Sequence, residues 1–169
     1  MYRIIASQRI SISVLALVAL GCLARLAWGA NGAHFQRGRA SLDSSGDYCV
    51  QFREVGLGDT PVDYRLDATA TFTYQCFTKQ GNQPHGEPNS GGPSDASTST
   101  TVTPHNGHIA ATICLQPTPG DTSCQGQGLK LCLTAVDYQE VSLTDDTNGV
   151  TLDPSATPDL SASGLRVCP

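Results

Sequence analysis

At 169 residues, the chain has room for one globular domain and a targeting segment. Its 15 acidic residues outnumber its 10 basic ones, giving a formal net charge of −5. It carries no run of Lys or Arg, so neither nucleic acid nor an anionic membrane is an expected partner.

The first 29 residues have the layout of a secretory signal peptide. Arg3 and Arg9 supply a positive start, Ile10 to Leu20 an apolar run of 11 residues, and Ala27-Trp28-Gly29 small residues at the −3 and −1 positions of a cleavage site. A spanning helix needs about 20 apolar residues, and Arg25 interrupts this run too early. Ala19-Leu20-Gly21-Cys22 resembles a lipobox, although its Leu stands one place nearer the Cys than the usual pattern has it. Free secretion is therefore the expectation, with lipid anchoring through Cys22 the alternative.

Cleavage after Gly29 leaves residues 30–169 as a single domain. Lys+Arg falls from 10 to 7 while Asp+Glu stays at 15, so the net charge moves from −5 to −8. The remaining domain lacks Trp28 and Met1, and with them any tryptophan platform for a sugar ring. Six cysteines remain: Cys49, Cys76, Cys114, Cys124, Cys132 and Cys168. An even number behind a signal peptide reads as a disulfide framework, with 15 possible connectivities.

Alternation of apolar and polar residues then predicts the strands in order. Tyr48, Val50 and Phe52 alternate with Cys49, Gln51 and Arg53. From Val62 to Cys76, Val62, Tyr64, Leu66, Ala68, Ala70, Phe72, Tyr74 and Cys76 share one parity. Asp63, Arg65, Asp67 and a series of Thr share the other. So long a strand should contain a bend or bulge. Gln80 to Ala96, rich in Gly, Pro, Asn and Ser, reads as a long exposed loop. A short strand over Ser97 to Thr103 should turn through Pro104-His105-Asn106-Gly107 into a strand with Ile109, Ile113 and Leu115 inward. Leu129, Leu131, Leu133 and Ala135 begin a further strand. Its phase shifts at Val136 and Tyr138 and again at Val141 and Leu143, as a bulged strand would do. Asn148-Gly149 is a second hairpin-turn signal, and Asp153 to Ser163 is a loose lead into Leu165-Arg166-Val167-Cys168. No segment after the leader has a 3.6-residue period. The fold class is all-β, an antiparallel β-sandwich.

Parity also suggests disulfide partners. Cys114 and Cys132, both on the polar parity, would pair across neighbouring strands. Cys124 would reach Cys76, and Cys49 would hold the tail through Cys168.

Three stretches carry a resemblance. They are Glu54-Val55-Gly56-Leu57-Gly58, the strand from Asp67 to Cys76, and Gly126-Gln127-Gly128-Leu129 leading to Val141 through Val150. Together they resemble a group of uncharacterised small secreted bacterial proteins with a predicted immunoglobulin-like β-sandwich. The resemblance implies a fold and an export route and transfers no activity. Cys49 and Cys168 go beyond its pattern.

Candidate chemistry is sparse. His105 and His108 could share a metal only with help from His85 or Glu87, which lie in the long loop, whereas a zinc site needs three or four rigid ligands. Asp145, Asp146 and Asn148 are weak calcium candidates, since they lack the full spacing and trailing Glu of an EF-hand loop, and a tight turn also needs such residues. Asp63 with Asp67, and Asp137 with Glu140, read as solvated strand positions. No nucleophile elbow and no phosphate loop is present. The expectation is a secreted or cell-surface binding or structural module with no cofactor. Its partner would be an extracellular protein or glycan. An inhibitor or effector using the Gln80–Ala96 loop is the alternative, and a small extracellular enzyme a lesser one. A buried titratable cluster opening into a pocket would favour the enzyme.

Overall fold

The computed structural model describes residues 32–83, 89–90, 93–119, 124 and 128–168. The expected leader, including Cys22, lies outside the described residues, as do His85, Glu87, Gly126 and Gln127.

The fold is all-β, with two antiparallel sheets packed face to face. In chain order the strands are β1 (His34–Leu42), β2 (Tyr48–Val55), β3 (Val62–Phe77), β4 (Asn89–Ser90), β5 (Ser94–Val102), β6 (His108–Leu115), β7 (Lys130–Asp145), β8 (Val150–Thr151) and β9 (Leu160–Val167). A three-residue 3-10 turn, Pro154–Ala156, precedes β9. The smaller sheet has the order β1-β2-β6. In the larger, β3 and β7 form the centre, β4 and β5 share the outer edge of β3, and β8 and β9 share that of β7.

The alternation of β3 holds along its whole length, so Val62, Tyr64, Leu66, Ala68, Ala70, Phe72 and Tyr74 all enter the core. Tyr48, Val50 and Phe52 of β2 and Ile109, Ile113 and Leu115 of β6 meet them from the other sheet. The expected bulge lies in the partner strand. Register slips by one residue opposite Ala68 and again after Thr73, and both extra residues belong to β7. One is Thr134. The other slip coincides with Glu140, a non-glycine residue at φ 52°. Each slip resets which parity faces inward, so Leu133, Val136, Tyr138, Val141 and Leu143 are all buried in one unbroken strand.

Other expectations need correction. The stretch read as a loop from Gln80 to Ala96 contains β4 and the start of β5. The lead from Asp153 to Ser163 contains the 3-10 turn and half of β9. Strand β1 is not foreshadowed by periodicity, because two features blur its alternation. A register shift falls between Phe35 and Arg37, and Gly38 occupies a position where any Cβ would collide with the Leu152 side chain. The Asn106-Gly107 turn is present, with φ of 52° and 73°. It joins strands of different sheets, since β5 pairs with β3 and β6 with β2.

Three disulfides staple the domain: Cys49–Cys114, Cys76–Cys124 and Cys132–Cys168. The Cys76–Cys124 pairing agrees with the parity argument. The other two expected pairings are wrong, because β6 and β7 belong to different sheets and Cys114 never neighbours Cys132. Cys114 instead stands directly opposite Cys49 in the β2–β6 ladder, at a Cα separation of 4.1 Å. Cys132 takes Cys168, just beyond β9, the strand paired to β7. Among the described residues, no helix is long and apolar enough to cross a membrane.

Candidate functional site

The outer face of the smaller sheet is built by three strands in register. Arg37, Arg53 and Ala110 form one row across β1, β2 and β6, and Arg39, Gln51 and Thr112 form the next. His34, Val55 and His108 lie beyond the first row; Ser41 and the Cys49–Cys114 bridge lie beyond the second. The disulfide thus clamps β2 to β6 beside the arginines. Tyr48, Val50 and Phe52 hold the same strands by their inner face. The rows enclose a shallow cleft of about 360 Å³, floored by the short side chains of Ala110 and Thr112. Arg37 and Arg39 are exposed and Arg53 is half-buried. Among the described residues none of the three forms an ion pair. Arg65, on the opposite face of the molecule, is bracketed by Asp67 and Asp146.

A second feature lies between the sheets. Glu54 continues the inward parity of β2 and is fully buried. Its Oε2 accepts a 2.6 Å hydrogen bond from the Tyr64 hydroxyl of β3. Tyr64 in turn stands opposite Asp145 in the β3–β7 ladder, and Asp145 is also fully buried. Burial raises the Glu54 carboxyl to about 7; the Tyr64 hydrogen bond opposes this, the nearby Asp145 carboxylate adds to it, and His34 opposes it weakly. The Tyr64 hydroxyl is pushed far above its ordinary value, first by burial and then by Glu54. Glu54 Oε1 has no donor. Both Asp145 oxygens accept from Asn148, at 2.8 Å from its backbone N–H and 2.6 Å from its side-chain amide. Glu54 and Asp145 lie close enough to interact, and a protonated Glu54 can donate to the Asp145 carboxylate.

Asp145, Asp146 and Asn148 are therefore spent on a four-residue hairpin turn and on Arg65 rather than converging on one point. His105 and His108 face each other across a two-residue turn through their backbones. Asp63 and Asp67 do lie on the outer face of β3, where they accept from Thr101 and Ser97 of β5. Asp137 accepts from Gln139, and Glu140 sits at the β7 bulge, where its N–H donates to Asp159. Among the described residues, no group of three or more His, Cys, Asp or Glu is placed to hold a metal.

Sequence reasoning passes over the arginine face and Glu54. For Glu54 a signal exists, since positions 48, 50, 52 and 54 share one parity. For the arginines there is none: 13 positions separate Arg39 from Arg53, and only the β1–β2 register joins them.

No protein-family model matches this chain, and neither does any curated protein or solved structure.

Proposed function

We propose that the chain is an exported, disulfide-stapled binding module built on an immunoglobulin-like sandwich. The observation that carries this reading is the separation of its ionisable cluster from its open surface. Glu54 and Asp145, the pair an enzyme would use for acid–base work, are fully buried, and Glu54 is held by Tyr64 of the facing sheet. The exposed cleft on the smaller sheet has arginines, an amide and a hydroxyl but no carboxylate, imidazole or thiol along its lining. Such a surface suits recognition better than bond-making. Three bridges in a chain of this size agree with an oxidising compartment outside the cytosol. The strand order supports the immunoglobulin-like assignment. β1-β2-β6 corresponds to A-B-E, and β5-β3-β7-β9 to C′-C-F-G.

Two measurements test the reading. Intact mass of the exported protein should show a start at Ala30 and a gain of two hydrogens per bridge on reduction; an acyl group on Cys22 would replace free secretion with lipid anchoring. The folded protein should bind members of an extracellular glycan and protein array without altering them. Turnover of any array member that disappears in Glu54→Gln would overturn the binding-module assignment.

A further inference from the structure

Resting on the binding-module reading, we propose that Arg37, Arg39 and Arg53 form an oxyanion site on the outer face of β1-β2-β6, for a ligand bearing two or more carboxylate, phosphate or sulfate groups.

Four observations converge on it. First, Arg37 and Arg53 are direct cross-strand partners, and like charges placed opposite each other in a ladder destabilise the pairing. A binding role accounts for keeping both. Second, the chain neutralises arginine elsewhere: Arg65 has a carboxylate on each side, yet none of these three has one among the described residues. Third, after residue 29 the chain has only seven Lys and Arg, and three of them share this one face of an otherwise acidic domain. Fourth, the surface is concave. Ala110 and Thr112 keep the floor low beside the guanidinium groups, and Gln51 adds an amide between them.

The chemistry follows from the groups. A guanidinium offers a rigid fork of N–H donors that matches the two oxygens of a carboxylate or the edge of a phosphate or sulfate. Alternate residues on one strand face stand about 6.6–6.8 Å apart, and direct cross-strand neighbours about 4.5–5.5 Å apart. Arg37, Arg39 and Arg53 thus form a triangle able to grip two anionic groups of one ligand. The volume of about 360 Å³ is at the small end for ligand clefts, which fits a compact multivalent anion. Nucleic acid is disfavoured. Phe52, the one aromatic residue at the cleft, is 2 % exposed, so no ring is available for base stacking.

The test is a two-dimensional NMR titration of the oxidised protein with citrate and with inorganic pyrophosphate, using acetate and a single-stranded oligonucleotide for comparison. Citrate, pyrophosphate or both should shift the amides of residues 37–39, 51–53 and 110–112, with acetate far weaker. Binding should weaken as salt is added. The Arg37→Gln/Arg53→Gln double variant should bind at least tenfold more weakly, and Arg53→Lys should fall between it and the wild type, because it keeps the charge and loses the fork. Unchanged dispersion of the remaining signals certifies that the variants fold. Which of the two probes binds more tightly separates a carboxylate ligand from a phosphate-type one. No shift at millimolar probe, shifts on another face, or equal binding by the folded double variant overturns the site while leaving a binding module that acts elsewhere. Tighter binding of the oligonucleotide than of both small anions also overturns it.

Discussion

The Tyr64 hydroxyl donates a 2.6 Å hydrogen bond to Glu54, and this contact joins the two sheets through a pair of buried side chains. Tyr64 belongs to the larger sheet and packs its ring against Phe52 of the smaller at a centroid distance of 4.7 Å. Glu54 and Phe52 are alternate residues of β2, so one strand brings both its ring and its carboxyl to the same tyrosine.

The raised titration of Glu54 sets the direction of the pH dependence. Its folded value of about 7 lies above its ordinary 4.5, so the native state holds a proton that the unfolded chain releases. The stability tied to that proton is complete below the ordinary value, declines as pH rises towards about 7, and is gone above it. Each tenfold difference in proton affinity between the folded and unfolded chain is worth ~1.4 kcal/mol, so the loss can reach about 3 kcal/mol. Glu54→Gln keeps a donor and an acceptor but cannot ionise. Urea unfolding at pH 5 and pH 8 should therefore show the wild type losing stability relative to the glutamine variant. Parallel behaviour of the two proteins would mean that Glu54 is already ionised in the fold.

Tyr64→Phe removes the donor to Glu54 Oε2 while leaving the aromatic packing in place. A buried acceptor without its partner costs roughly 1–3 kcal/mol. The hydroxyl also holds the Glu54 titration down, so its removal should move the pH-dependent loss to higher pH. A variant as stable as wild type, with an unmoved pH profile, would argue against the contact.

The Cys49–Cys114 bridge closes a sequence separation of 65 residues between neighbouring strands. Replacing both cysteines by serine should cost about 2–4 kcal/mol, since the unfolded chain regains the freedom that the bridge removed. Non-reducing peptide mapping of the wild type should link Cys49 to Cys114 and Cys132 to Cys168. A Cys114–Cys132 peptide would contradict the sheet assignment itself.

Two glycines in one turn should respond differently to alanine. Gly56 has φ 76°, and a Cβ there would run into the carbonyl of Gly32, whereas a Cβ on Gly58 would meet open space. Gly56→Ala should destabilise by about 1–3 kcal/mol. Gly58→Ala should stay within about 0.5 kcal/mol of wild type. Thermal melts of the two variants side by side check the contrast.

Much of this fold is legible because a half-buried strand writes its orientation into every second residue. β2, β3 and β6 follow from parity alone, and the two phase shifts in β7 mark its two bulges. β1 and β9 are obscured by local accommodation. Gly38 stands where an apolar side chain would normally announce the core, because Leu152 already fills that space. In β9 a register shift spans Gly164, which has φ 73°, and breaks the alternation between Ala162 and Leu165.

Residue order by itself determined the all-β class, the inward faces of the principal strands and the supply of six cysteines after residue 29. Each of these depends on neighbours along one chain or on simple counting. Which strands share a sheet was decided only in three dimensions, because sheet membership is set by how distant segments bury their faces together. That choice made Cys49 and Cys114 partners, brought Glu54 under Tyr64 and beside Asp145, and gathered Arg37, Arg39 and Arg53 into one patch on a chain without a basic run.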